Sequence, residues 1–110
     1  MPDQRADHRD ARPAFTGPRR LLGVIDVGSN SVRLVVYDLT DNIVVPLYNE
    51  KALCGLGRLD PDTGCLAQAA ADSARRTLRR FRRLVDAMAL NEIIAVATAG
   101  VRDAADGAAF

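Results

Sequence analysis

Residues 23–34 have the sequence GVIDVGSNSVRL. An apolar run at residues 21–27 leads into a polar turn at residues 28–30, and a second apolar run occupies residues 32–38. Two short apolar runs around a glycine-containing turn predict two consecutive strands joined by a tight connection. The rest of the fold is built outward from this pair.

The turn itself has the composition of an anion-binding loop. Asp26 is expected at the end of the first strand, and Gly28 permits a sharp turn whose N–H groups can face an anion, together with the polar side chains of residues 29–31. The Asp26 carboxylate would then hold a divalent cation, directly or through water, since hard cations prefer carboxylate oxygens. An ordinary hairpin turn with its hydroxyls facing solvent remains the alternative at this point.

The pattern after the turn predicts a third strand, a loop, a helix and a fourth strand. Residues 43–50 form the third strand, in which Pro46 marks an edge or a bulge. Glycines and a proline between residues 55 and 64 indicate a loop. Residues 65–90 have a period near 3.6, which predicts a long amphipathic helix, and Asn91 is its expected stop. The apolar face of this helix comprises Ala70, Ala74, Leu78, Phe81, Val85 and Met88.

A fourth strand is predicted over residues 93–97, followed by a loop over residues 98–104 and a helix capped by Asp106. A three-strand meander, a long helix and a fourth strand make an α/β unit whose last strand needs neighbours. We therefore expect an incomplete domain over residues 21–110, truncated at its C-terminus. Residues 1–20 are polar and contain three prolines, which predicts a flexible leader.

Composition excludes several classes of protein. The net charge of +1 over 110 residues gives no general attraction to nucleic acid or membrane, and fourteen of the fifteen basic residues are arginine. The lone Lys51 follows no glycine-rich loop, which excludes a P-loop. Two cysteines and one histidine predict neither a disulfide scaffold nor a zinc site. The absence of a signal peptide core or an apolar membrane span predicts a cytoplasmic protein.

Three segments, in this order, resemble one family. Residues 25–34 look like the first phosphate motif of the exopolyphosphatase and guanosine pentaphosphate phosphohydrolase (Ppx/GppA) family, within the actin-like ATPase, sugar kinase and Hsp70 superfamily. Residues 49–66, ending in Thr-Gly-Cys-Leu, are similar to the segment that follows in this family. Residues 97–104, Ala-Thr-Ala-Gly-Val-Arg-Asp-Ala, resemble its A-T-x-x-[VL]-R-x-A motif. The match covers residues 21–110.

The resemblance implies a ribonuclease-H-like (actin-like ATPase) α/β domain, of which residues 21–110 are the N-terminal part. It implies a Mg²⁺-dependent hydrolase that releases terminal phosphate from inorganic polyphosphate or guanosine pentaphosphate, with polyphosphate or guanosine pentaphosphate and tetraphosphate as its partners. No membrane and no specific nucleic acid are expected as partners, and homo-oligomer formation by a full-length protein is left open.

Residue roles follow from the same resemblance. Asp26 is implied as the metal-associated carboxylate. Arg33 and Arg102 are implied as substrate-phosphate contacts, because guanidinium groups match phosphate oxygens. The alternatives are a solvent-facing strand residue for Arg33, and for Arg102 an ion pair with Asp103 or Asp106. The full phosphate-binding set implied is Gly28, Ser29, Asn30, Ser31, Arg33, Thr98 and Arg102.

Two departures from the family pattern affect this interpretation. Gly100 stands where a small residue with a side chain is expected, which is predicted to loosen the loop. The family's catalytic glutamate and second phosphate motif have no match here, since neither Glu50 nor Glu92 fits the position. This chain is therefore expected to be inactive alone. The alternatives are a non-catalytic fragment that binds polyphosphate or an alarmone, and a sugar kinase-like ATPase lobe.

Six further arginines lie on the helix face opposite the apolar one: Arg75, Arg76, Arg79, Arg80, Arg82 and Arg83. They are interpreted either as a solvated face or as a contact for a long anionic polymer, with no aromatic residues for base stacking. Arg58 and Lys51 are interpreted either as loop charges or as additional contacts to phosphate. The glycines around Arg58 do not continue into a dinucleotide-binding fingerprint, because Asp60 and Pro61 follow.

Overall fold

The predicted strand pair is the first element of the sheet. The structure is a computed structural model that describes residues 19–110. In it β1 (Leu21–Val27) pairs with β2 (Ser31–Asp38) in antiparallel register, so that Val27 lies opposite Val32 across the turn. Three of the seven residues of β1 and three of the eight residues of β2 are β-branched, which suits a pleated, half-buried surface. The prediction of two strands around a tight turn is confirmed.

A third strand completes the meander. β3 (Val45–Leu53) pairs antiparallel with β2, and the register shifts by one residue between Val36 and Tyr37, opposite Pro46. Proline cannot donate to a ladder and is therefore confined to edge strands and bulges. Both features predicted from Pro46 occur here, because β3 is an edge strand and contains the irregularity.

A helical crossover then returns the chain to the other side of β1. Helix α1 (Gln68–Met88) is followed by β4 (Glu92–Ala97), which pairs parallel with β1, giving the sheet order β3-β2-β1-β4. The helix is shorter at both ends than predicted. Its stop is Ala89 in the left-handed conformation rather than Asn91. Across residues 19–110, no helix combines the length and hydropathy needed to cross a bilayer.

One face of the sheet is covered by α1. Alternate residues of β1 and β2 are buried, and α1 contributes the residues that are spaced for one helical face. The buried cluster also takes in apolar side chains from the loop between β3 and α1. Its largest fully buried side chains are Phe81, Leu34, Leu56, Val32 and Val36.

The opposite face and the β4 edge are open in the described chain. All six residues of β4 are exposed, and Ile93, Ile94 and Val96 are 41%, 43% and 49% accessible. The α/β class, the meander, the long helix and the fourth strand are thus confirmed. β4 lies at the edge of the sheet, as expected for a strand that lacks a neighbour on one side.

The segment after β4 differs from what the sequence predicts. Residues 98–104 were predicted as a loop, but they contain a short helix, α2 (Ala99–Arg102), because the Thr98 carbonyl accepts from the N–H groups of Val101 and Arg102. Within residues 19–110 a turn rather than a helix follows Asp106, whose carbonyl accepts from the N–H groups of Ala109 and Phe110. Its carboxylate does not act as the predicted cap but accepts from the N–H of Leu66 at 2.8 Å. The predicted flexible leader lies outside the described residues, except for its last two residues, 19 and 20.

Asp38 is a buried acid at the end of β2, and it contacts Arg19 at the start of the described residues. Its carboxylate accepts from the hydroxyl of Thr40 and from the Thr40 N–H at 2.9 Å, and Arg19 Nη2 lies 3.5 Å away. These bonds hold the pKa of Asp38 below its ordinary value, and the bond from the Thr40 hydroxyl has the largest effect. Hydrogen bonds to the charged form of a carboxyl stabilise that form.

The lowered pKa predicts a pH-dependent contribution to stability. Since the folded pKa lies below the unfolded one, the contribution of Asp38 is fully present above the unfolded value of about 3.9 and is lost as pH falls through the folded pKa. Urea unfolding of the wild type and of Asp38→Asn should show a difference in stability that is constant near neutral pH and shrinks below about pH 4. A difference independent of pH would contradict this role of the carboxylate.

Candidate functional site

The β1–β2 turn is held from one side by the loop that follows β3. The N–H of Gly57 donates to the carbonyl of Ser29 at 2.7 Å. The carbonyl of Asn30 accepts from the N–H groups of Cys54 and Gly55, at 3.0 and 3.2 Å. The turn is therefore fixed by three main-chain hydrogen bonds to residues more than twenty positions away in sequence.

A second segment reaches the same turn from β4. Thr98 bonds to the carbonyl of Val27 through its N–H at 3.0 Å and through its hydroxyl at 3.3 Å. These bonds bring the start of α2 against the turn, because Val27 is the last residue of β1. The end of β1 is thus enclosed by the loop after β3 and by the segment after β4.

Two glycines make this close approach geometrically feasible. A Cβ atom on Gly57 would lie 2.9 Å from the Cβ of Ser29, and one on Gly100 would lie 3.0 Å from Ser29 Oγ and 3.1 Å from Ser29 Cα. A methyl group at position 57 would therefore force a shift, and one at position 100 would require Ser29 to move by a few tenths of an ångström. Gly100 was predicted to loosen its loop, whereas the structure gives it the role of admitting Ser29 at short range.

A cleft of about 310 Å³ opens where these segments meet. It lies at the carboxyl ends of the parallel strands β1 and β4. In open α/β sheets ligands bind in the crevice beyond the carboxyl ends of the strands. The cleft is lined by Ser29, Asn30, Gly57, Arg58, Leu59, Gly100 and Asp103.

Two of the predicted phosphate-binding residues, Ser29 and Asn30, line the cleft directly. Gly28 and Ser31 shape the turn instead, since the N–H of Gly28 donates to the carbonyl of Ser31 at 2.9 Å. Thr98 uses its hydroxyl to anchor the α2 segment to Val27. Direct phosphate contact by these last three residues stays a prediction.

Asp26 and Arg33 lie side by side on the open face of the sheet. They are register partners on β1 and β2, and Lys51 on β3 is the next residue in the same cross-strand row. All three side chains are exposed. The predicted metal ligand and the predicted phosphate contact are therefore neighbours, but neither lines the cleft.

Arg102 lies beside the cleft on α2. Its Nε is 3.8 Å from an Asp103 carboxylate oxygen, and both side chains are mostly exposed, at 73% and 67%. An exposed pair at this distance contributes little energy, so the guanidinium can exchange this partner for another anion. Of the two alternatives considered for Arg102, the structure contains the pair with Asp103, while Asp106 bonds to Leu66 instead.

Sequence reasoning missed Asp103 as a cleft residue and left Arg58 undecided. Arg58 is an exposed cation on the cleft wall, in the residue position after Gly57. The signal in the sequence was the Gly55-Leu56-Gly57 spacing, which indicates a loop that approaches another main chain closely. Which main chain it approaches depends on the tertiary fold.

Neither glutamate of the described residues lines the cleft. Glu50 is held by Arg80 on α1 and accepts from the hydroxyl of Tyr48, and this bond raises the pKa of Tyr48. Glu92 begins β4, so it lies at the opposite end of that strand from Thr98. The two glutamates are thus placed away from the cleft.

The sequence of this chain is similar to those of known proteins. The model of the Ppx/GppA phosphatase family matches residues 35–110. The chain is 34% identical over 84 residues to exopolyphosphatase 1 of Mycobacterium tuberculosis, covering 76% of this chain and 24% of that protein. The corresponding protein of Mycobacterium leprae is 33% identical, again over 76% of this chain. The chain spans about a quarter of the length of the curated relatives it matches.

Solved structures show the same fold. A Ppx/GppA family member from Aquifex aeolicus superposes with a TM-score of 0.79 at 26% identity, over 84% of this chain and 30% of that one. An exopolyphosphatase from Cytophaga hutchinsonii gives a TM-score of 0.75 at 33% identity, over 82% of this chain and 29% of that one. The arrangement of the sheet and α1 is therefore shared with these proteins, where it forms part of a longer chain.

Proposed function

Because this chain belongs to the Ppx/GppA phosphatase family, we propose that its cleft binds the terminal phosphates of inorganic polyphosphate or guanosine pentaphosphate for hydrolysis of a phosphoanhydride bond. The observation that carries the proposal is the cleft at the carboxyl ends of β1 and β4, with Ser29, Asn30 and Arg58 on its wall. Hydroxyl, amide and guanidinium donors are the groups that bind phosphate oxygens.

Arginines outside the cleft wall extend this binding role. Arg102 is adjacent in sequence to Asp103 on the wall, and Arg33 lies in the row with Asp26 on the open face. Each side chain is exposed, and neither is held in a buried ion pair within residues 19–110. A substrate with several phosphates carries enough charge to engage Arg58, Arg102 and Arg33 together.

Asp26 is the residue that would hold Mg²⁺. Within residues 19–110 no three histidine, cysteine or acidic side chains form a metal cage. Mg²⁺ commonly keeps several waters and binds one or two carboxylates together with substrate phosphates, so a single exposed carboxylate fits it. When bound, the ion would offset negative charge on the phosphate oxygens.

Hydrolysis requires a group that positions or deprotonates the attacking water. Since Glu50 is engaged by Arg80 and Glu92 begins the far end of β4, we assign no such role within the described segment. The chain would bind and orient phosphate, and a carboxylate from outside residues 19–110 would complete the reaction. A cytoplasmic location is part of this proposal, in keeping with the free thiols of Cys54 and Cys65.

Calorimetry with short-chain tripolyphosphate and with guanosine pentaphosphate tests the binding role. Arg58→Gln, Arg102→Gln and Arg33→Gln should each weaken binding about tenfold, since one charge-assisted hydrogen bond contributes roughly 1.5 kcal/mol or more. Arg82→Gln is the matched control, because Arg82 pairs with Asp86 on α1, 3.2 Å away, and does not line the cleft. Unchanged affinity in all three variants would contradict the proposal.

A further inference from the structure

The exposed side of α1 carries a large excess of positive over negative charge. Six arginines lie within nine residues, and all six side chains are exposed. Only two acidic residues, Asp72 and Asp86, belong to the same helix. Arginines three and four positions apart face each other on a helix surface and repel, which disfavours the isolated helix. A helix that keeps this repulsion is well suited to an anionic partner.

The acidic neighbours pair with arginines at the margins of this surface. Arg75 lies 3.4 Å from Asp72 and also sits over the ring of Phe110, at 5.2 Å. Arg82 pairs with Asp86 at 3.2 Å. On the other margin Arg80 pairs with Glu50 of β3. The remaining three arginines form what we call the arginine stripe: Arg76, Arg79 and Arg83.

The stripe lies along the helix on the side away from the sheet. At about 100° per residue its three members fall within an arc of about 60°, opposite the buried side that contains Phe81 and Val85. At about 1.5 Å per residue the stripe is roughly 10 Å long. Within residues 19–110 none of the three has an acidic partner in salt-bridge distance.

We propose that the arginine stripe is a second binding surface for inorganic polyphosphate, separate from the cleft, and that only a long chain occupies the cleft and the stripe together. The argument is charge complementarity, because a linear row of cations about 10 Å long matches a linear polyanion better than a compact one. Polyphosphate is favoured over RNA because the only aromatic side chain of α1, Phe81, is fully buried and offers no surface for base stacking. The choice of polyphosphate rests on the proposed function of the cleft.

The test compares two variants of the whole chain that lose the same charge from the same helix. One is Arg76→Gln/Arg79→Gln/Arg83→Gln, and the control is Arg75→Gln/Arg80→Gln/Arg82→Gln, in which every arginine replaced has an acidic partner. Binding of long-chain polyphosphate and of tripolyphosphate is measured against salt concentration, and circular dichroism checks that both variants are folded.

The stripe variant should lose long-chain affinity by tenfold or more and should bind tripolyphosphate like the wild type. Its slope of log affinity against log salt should be smaller by about 2, taking about 0.7 per neutralised phosphate as for single-stranded nucleic acids. Equal long-chain slopes in the two variants would overturn the proposal. Tighter binding of an RNA of similar length, lost in the stripe variant, would overturn polyphosphate as the partner.

The test of the arginine stripe is distinguishable from the test of phosphate binding in the cleft. Loss of tripolyphosphate binding in Arg58→Gln tests the cleft alone, because Arg58 lies on the cleft wall and not on α1. If tripolyphosphate does not bind while long chains still depend on the stripe, the proposed function of the cleft fails and the surface on α1 stands.

Discussion

Replacing Phe81 with alanine is expected to lower the free energy of unfolding by about 3–5 kcal/mol. The ring is 0% exposed and belongs to the same buried cluster as Leu34 and Val36 of β2. Helix α1 covers the sheet through this cluster, so a cavity at position 81 weakens the contact between the two layers. Since whole domains are stable by about 5–15 kcal/mol, this one change removes a large share of the total.

Urea unfolding followed by circular dichroism measures this effect. Leu78→Ala is the matched control, because Leu78 lies on the same helix but is only partly buried; its cost should be clearly smaller. Phe81→Leu keeps most of the volume and gives a measurable value if the alanine variant does not fold. Equal costs for Phe81→Ala and Leu78→Ala would show that the ring does not anchor α1 on the sheet.

Local sequence patterns were sufficient to predict the four strands and the long helix of this fold, but not the short helix α2. The alternation of apolar residues in β1 and β2 and the 3.6-residue period of α1 are local signals, and each gave the right type of element. The ends of elements were less accurate, as in the helix stop. Asparagine tolerates the left-handed conformation better than alanine, which favoured Asn91. The structure uses Ala89 there, and Asn91 instead accepts from the N–H of Leu21.

The candidate site was only partly predictable, for a physical reason. Ser29 and Asn30 could be identified because a glycine turn between two strands is a local pattern. The positions of Arg58 and Asp103 on the cleft depend on hydrogen bonds between segments far apart in sequence, such as the bond from Gly57 to Ser29. No periodicity or local propensity encodes those contacts. The family resemblance supplied Arg33 and Arg102, whose phosphate contacts remain predictions.

The structural role of Gly100 also could not be predicted from the local sequence. From the sequence alone, a glycine in place of a residue with a side chain predicts greater backbone freedom. In the folded chain Gly100 is buried against Ser29, and the position of its missing Cβ lies within 3.1 Å of the Ser29 main chain. What the local pattern presents as a source of flexibility is thus a condition for tight packing around the turn.

Gly57→Val is expected to open the enclosure of the turn and to weaken tripolyphosphate binding by up to about a hundredfold. Even a methyl group at this position would lie 2.9 Å from Ser29 Cβ and 3.3 Å from the Ser29 carbonyl oxygen. Overpacking of this kind costs typically 1–3 kcal/mol, and about 1.4 kcal/mol corresponds to a factor of ten in affinity. The cheapest relief moves residue 57 away from Ser29, which stretches the 2.7 Å hydrogen bond and displaces the adjacent Arg58.

Calorimetry with tripolyphosphate and urea unfolding should be run on this variant together with Gly64→Asn. Gly64 is a suitable control because it belongs to the same loop, its Cβ position meets only Ala105 at 4.0 Å, and asparagine tolerates its positive φ of 69°. Gly64→Asn should bind normally, while Gly57→Val should lose affinity even under conditions where both remain folded. Wild-type affinity in folded Gly57→Val would mean that phosphate does not bind against the enclosed turn, and the cleft would lose its proposed role.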